Sequence, residues 1–199
     1  MIDIKIFIRD LRCPSIEKLS VASSAGITDL SICQVAKSCP KLVHLDVSEC
    51  PNLTNFGLEQ IGLNCKYLTS LKKNRFTGGY DPARKRMLPP EYSRTSSPAN
   101  ADVEVVMLAN LMPNLKHLEL RHSKLSDQGL TSLLDGCSKL EILDLTGCSN
   151  LTRRALEEAE AKVPKLVKYK KPVISSVDDE RYSHWRLYDE RFQSGFFQF

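Results

Sequence analysis

A chain of 199 residues that is 42% hydrophobic and 26% charged holds enough apolar material for one folded domain. Its formal net charge of +4 is too mild to mark a nucleic-acid protein by itself, because that class needs a concentrated basic stripe. No apolar run approaches membrane-spanning length, and Asp3, Lys5 and Arg9 interrupt MIDIKIFIR, so it does not read as a signal peptide.

Residues 1–12 open the chain with Ile2, Ile4, Ile6 and Ile8 alternating with other residues, which predicts a capping strand or an irregular start. From Cys13 a unit of 26 residues begins, and Cys39 and Cys65 mark its next two starts. The clearest copy is 39–64, CPKLVHLDVSECPNLTNFGLEQIGLN. Leu42, Leu45 and Val47 give L-x-x-L-x-L, Cys50 follows, and a helix-like run closes the unit. This is the pattern of a leucine-rich repeat. Thr28, Thr54, Ser126 and Thr152 recur at the start of each helical run, where a hydroxyl caps free backbone N–H groups. Repeats therefore fill 13–74 and 101–172, with the last one a half unit ended by Pro172.

Residues 75–100 break the register. They hold Gly78-Gly79, Pro82, Pro89, Pro90 and Pro98, and predict an inserted loop without regular elements. The helix after it is expected near 101–111 with Asn100 as its cap. Residues 173–199 change composition again, with Trp185, Tyr188, Phe192, Phe196, Phe197 and Phe199. The end of a solenoid needs a cap. The expectation is that 181–192 cover that end, with Arg181, Arg186 and Arg191 pairing to Glu157, Glu158 and Glu160. Residues 193–199 stay open between cap and docking peptide.

The predicted fold is an α/β, short right-handed leucine-rich-repeat solenoid of about five repeats plus a C-terminal cap. Its parallel strands line the concave side and its helices the convex side. Strand alternation sends one set of side chains outward. That set is Lys18 and Ser20; His44, Asp46 and Ser48; Ser70, Lys72 and Asn74; His117, Glu119 and Arg121; Ile142, Asp144 and Thr146. This mixed polar face is the candidate partner-binding surface for another protein. The seven cysteines are odd in number and all but Cys33 follow the repeat, so they read as buried thiols of a cytoplasmic or nuclear protein. No close cysteine pair supports zinc, no phosphate-cradling or nucleophile motif is present, and no cofactor or catalytic residue is assigned. A nucleic-acid-binding module using Lys72-Lys73 and Arg84-Lys85-Arg86 is the alternative, beside a truncated product with no function.

The tail RYSHWRLYDERFQ (181–193), KKN and PPEY (72–74 and 89–92), and MPNLKHLELRHSKLSDQGL (112–130) resemble plant F-box/leucine-rich-repeat proteins. These are the group described as interacting with the Skp adaptor of cullin–RING ubiquitin ligases. The resemblance runs over roughly 13–199. It implies repeats that recruit a protein for ubiquitylation, and an N-terminal F-box that holds the adaptor. Residues 1–12 are too few for an F-box, so the expectation is the substrate-recruiting part of such a receptor, without Skp binding.

Overall fold

The computed structural model describes residues 14–75, 80–81, 86–87 and 98–162. Five strands form one parallel sheet: β1 (Lys18–Ser20), β2 (His44–Asp46), β3 (Ser70–Lys72), β6 (His117–Glu119) and β7 (Ile142–Asp144), in that spatial order. A helix follows each: α1 (Asp29–Ser38), α2 (Asn55–Asn64), α3 (Pro98–Leu111), α4 (Asp127–Gly136) and α5 (Arg153–Lys162). The strands are in strict register, so Leu19, Leu45, Leu71, Leu118 and Leu143 stack as one row. The last four are buried. Ile32, Val35 and Ala36 of α1, Leu58 and Ile61 of α2, and Leu130, Leu133 and Leu134 of α4 complete the core. The solenoid expected from the repeat is present. β3 pairs directly with β6, so the insertion between them is looped out of the sheet.

Three helix starts are bonded to the repeat before them. Thr28, Thr54, Ser126 and Thr152 accept N–H bonds from Ser31, Phe56, Gly129 and Ala155. Three of these caps are also held by an aspartate one repeat earlier. Asp29 accepts the Thr54 N–H at 2.8 Å and its hydroxyl at 2.6 Å. Asp102 accepts both groups of Ser126, and Asp127 both groups of Thr152. Ionised acceptors make the stronger class of hydrogen bond. The repeats are thus joined on the helix side as well as through the sheet.

The cysteines make a third set of joints. Each of Cys39, Cys65 and Cys137 closes a helix with its N–H, bonded to Val35, Ile61 and Leu133. The Cys65 and Cys137 thiols lie against the Cys39 and Met112 carbonyls of the preceding repeat. The Cys50 and Cys148 thiols donate to the Val21 and Leu120 carbonyls at 3.2 Å. Burial pushes the Cys65, Cys137 and Cys148 thiols up to about 11 and raises Cys50 as well. Cys33, outside the repeat positions, is half-buried. Because the thiolate is the reactive form, a mass-labelling reagent is expected to spare these five in the native state. It should label at most Cys33 and Cys13 there, and all seven after unfolding. Rapid native labelling of Cys137 or Cys148 would mean the repeats do not close over them.

The turn after β1, β2, β6 and β7 is left-handed at one position. Ser23, Glu49 and His122 have φ of 57°, 57° and 58°, and Gly147 has φ 77°. The first three N–H groups bond the next repeat's Ser48, Asn74 and Thr146 carbonyls. In the third repeat Arg75 keeps that bond, to the Arg121 carbonyl at 2.9 Å.

Three sequence expectations change. Residues 75–100 are not free of regular elements, because β4 (Tyr80–Asp81) and β5 (Arg86–Met87) form a short antiparallel pair. The glycines and prolines there all fall outside the paired residues, so none removes a ladder bond. Helix α3 begins at Pro98, which places Asn100 inside its first turn and not at its cap. Proline suits that turn because its missing N–H would have had no helical partner. Glu157 and Glu158 pair with Arg153 and Arg154 one turn earlier on α5, at 2.7 Å each, and the arginines expected to reach them from the tail lie outside the described residues. Ser48, Ser70, Glu119 and Asp144, expected to face outward, are buried. The expected N-terminal capping strand, the half repeat after α5 and the aromatic cap of 173–199 lie outside the described residues.

Candidate functional site

The outward side chains of the sheet form three rows across the strands. One row is Lys18, His44, Ser70, His117 and Ile142, and the next is Ser20, Asp46, Lys72, Glu119 and Asp144. Two residues further along each chain come Ser48, Asn74, Arg121 and Thr146. The middle row carries three acids, and two of them are deep: Glu119 is 6% and Asp144 9% exposed. A buried carboxylate is tolerated only when paired and hydrogen-bonded, and these two are.

Glu119 receives Lys72 Nζ at 2.9 Å, Asn74 Nδ2 at 3.0 Å and Arg121 Nη2 at 3.6 Å. The His117 Nε2 lies 3.1 Å from its other side. Burial would raise the Glu119 pKa, but the bonds from Asn74 and Lys72 outweigh it and hold the carboxyl below its ordinary value. Asp144 accepts the Thr146 hydroxyl at 2.5 Å, the Thr146 N–H at 3.0 Å and Arg121 Nε at 2.8 Å. Its pKa is also lowered, with burial opposed by Thr146 and Arg121. Both acids therefore favour folding above the ordinary carboxylate range, and that contribution is lost as pH falls through their folded values. His122, beside Arg121, is held below the usual imidazole value by burial and by that positive neighbour.

The network continues sideways. Asn74 Oδ1 accepts the Arg121 N–H at 3.0 Å, and Ser48 Oγ accepts the Asn74 N–H at 3.2 Å. Asp46 accepts the Ser48 N–H at 3.0 Å. The structure thus links nine predicted residues through bonds: Asp46, Ser48, Lys72, Asn74, His117, Glu119, Arg121, Asp144 and Thr146. His44 and Ser70 lie in the adjoining row without joining that chain of contacts. No buried side-chain nitrogen or oxygen among the described residues lacks a partner, which makes the face rigid.

One pairing was not expected. Glu104 of α3 is 3% exposed and receives Lys73 Nζ at 2.6 Å and Arg75 Nη2 at 3.3 Å. Its signal in the sequence is a single acid within the apolar run 103–109. The same contacts change the meaning of Lys72-Lys73, read as a candidate nucleic-acid cluster. Lys72 serves Glu119 and Lys73 serves Glu104, so this pair is engaged within the protein. Among the described residues no group of three or more His, Cys, Asp or Glu side chains could hold a metal ion.

Comparison with known proteins follows the same line. A family model described as the LRR repeats of FBD-associated F-box protein At5g56370 matches residues 76–163. The Arabidopsis thaliana F-box protein SKIP1 is 38% identical over 187 residues, covering 91% of this chain and 61% of its own. The chain thus spans less than two thirds of that relative. Putative F-box/LRR-repeat protein 19 of the same plant is 39% identical over 75 residues, 38% of this chain and 25% of its own. Among solved structures, a tropomodulin C-terminal domain of Caenorhabditis elegans aligns with a TM-score of 0.54 at 11% identity. That alignment covers 93% of this chain and 98% of the other, and it supports the fold alone.

Proposed function

Since the chain is related to plant F-box/leucine-rich-repeat proteins, we propose that it is a protein-recognition module, the substrate-recruiting part of a ubiquitin ligase receptor. One observation carries this reading. The strand face holds a continuous, fully bonded polar network whose acids are sunk while Lys72, His117 and Arg121 remain partly exposed. A surface fixed before a partner arrives loses little freedom on binding, and centrally placed arginines are frequent anchors of protein interfaces. Binding, not bond chemistry, is the role. The buried reduced thiols of Cys50, Cys65, Cys137 and Cys148 support a reducing compartment, cytoplasm or nucleus.

The test attaches a photo-crosslinker at His44 on the strand face or at Gln34 on α1. In a plant extract the His44 form should capture a defined protein and the Gln34 form should not. Joined to an F-box and supplied with Skp adaptor and cullin, the chain should place ubiquitin on that same protein. The 199-residue chain alone should not retain the Skp adaptor in a pull-down. Capture from Gln34 only, or a stable complex with Skp alone, would move the interaction away from the sheet.

A further inference from the structure

The network has a direction. Its two buried carboxylates, Glu119 and Asp144, lie at the bottom and its cations at the top, while Asp46 of the same network is half-buried. Glu119 and Asp144 side chains are 8% and 12% exposed, against 38% for Lys72 and 46% for Arg121. Arg121 uses Nε on Asp144 and Nη2 toward Glu119, while a guanidinium carries five N–H donors in a planar fork. Lys72 is placed against Glu119 through one contact of 2.9 Å, while an ammonium has three donors. Lys18 stands exposed at the first strand, and His44 and His117 lie between it and Arg121. Each ion pair is therefore a dipole with its positive end toward solvent. Partner recognition follows the sign that projects outward more than the net charge of the patch.

We propose that the strand face binds an acidic segment of its partner, laid across the strands so that its carboxylates meet Lys18, Lys72 and Arg121. A basic segment would have to displace Lys72 and Arg121 from acids they already hold. An acidic one adds to the outer donors and leaves every buried bond in place. The five strands span about 19 Å at roughly 4.8 Å each, which is about six residues of extended chain. The proposal rests on the protein-recognition reading and names the chemistry of its partner.

The probe is a fluorescein-labelled hexaglutamate peptide, with hexalysine beside it, titrated against the full chain by anisotropy at low ionic strength. Hexaglutamate should bind and hexalysine should not. Arg121→Gln should weaken hexaglutamate binding at least tenfold, and Arg121→Lys should recover most of it. Lys18→Glu, at an exposed position where the fold is not at stake, should weaken binding about threefold. Lys37→Glu on the exposed side of α1 should leave it unchanged. Preference for hexalysine, or equal loss with Lys37→Glu, would overturn the acidic-segment proposal. If the protein crosslinked at His44 touches the face through a basic or apolar segment, this proposal fails while the recognition reading stands. If nothing is captured at His44 yet hexaglutamate binding passes every control, the recognition reading fails and the anion-binding face remains.

Discussion

Leu118→Ala should lower stability by about 3 kcal/mol, and Leu45→Ala by about the same, within the 2–5 kcal/mol span of buried leucine truncations. Both side chains are essentially inaccessible, at 0% and 1%. They occupy one row of the sheet, with Leu71 between them. The loss has two parts, the transfer of three carbons out of water and the cavity left among neighbours that cannot close over it. Neighbours here belong to adjacent repeats, so the cavity weakens two contacts between repeats at once. Denaturant unfolding checks this, with the midpoint falling while the slope stays constant. Unchanged midpoints in both variants would place these leucines outside the core.

Lys73→Ala should have an effect of similar size, about 3 kcal/mol, for a different reason. Its partner Glu104 is 3% exposed, and removing one member of a buried pair leaves the other charged without compensation. Arg75 is 3.3 Å from the same oxygen and limits the loss. The contact also has a topological role. Lys73 stands just before the insertion, Arg75 at its first residue and Glu104 after it, so these contacts tie the two ends of a long excursion together. The double variant Lys73→Met with Glu104→Gln should regain at least half of the loss, because it removes both charges. A single variant as stable as the parent would show that water reaches Glu104 in place of Lys73.

The repeat was legible because it is local. Leu45, Thr54, Leu58 and Cys65 each show their role through spacing, and the register carries over from one unit to the next. Depth was not legible in the same way. Alternation tells which side of the sheet Glu119 faces, but its burial comes from Lys72, Asn74, His117 and Arg121 converging from two strands. Pairing across the insertion is more remote again, since Lys73 and Glu104 are 31 residues apart and the insertion has no fixed length to count through. Asp29 and Asp127 read in the sequence as acids in the first turn of a helix. Their stronger bonds go instead to the cap of the following repeat, 25 residues on. The β4–β5 pair was hidden by glycine and proline content, which describes a segment's average and not the four residues that pair.

The stacked rows also act as a position code. Along the sheet the backbone repeats at every strand, so a partner could slide by one strand and find the same geometry. The side chains forbid it. A shift from β2 to β3 exchanges Asp46 for Lys72, and a shift from β3 to β6 exchanges Lys72 for Glu119. Both of these steps invert the charge at that position of the row, whereas the step from β6 to β7 keeps an acid, Glu119 to Asp144, and like charges brought together disfavour a wrong alignment. A periodic backbone therefore carries an aperiodic row of side chains.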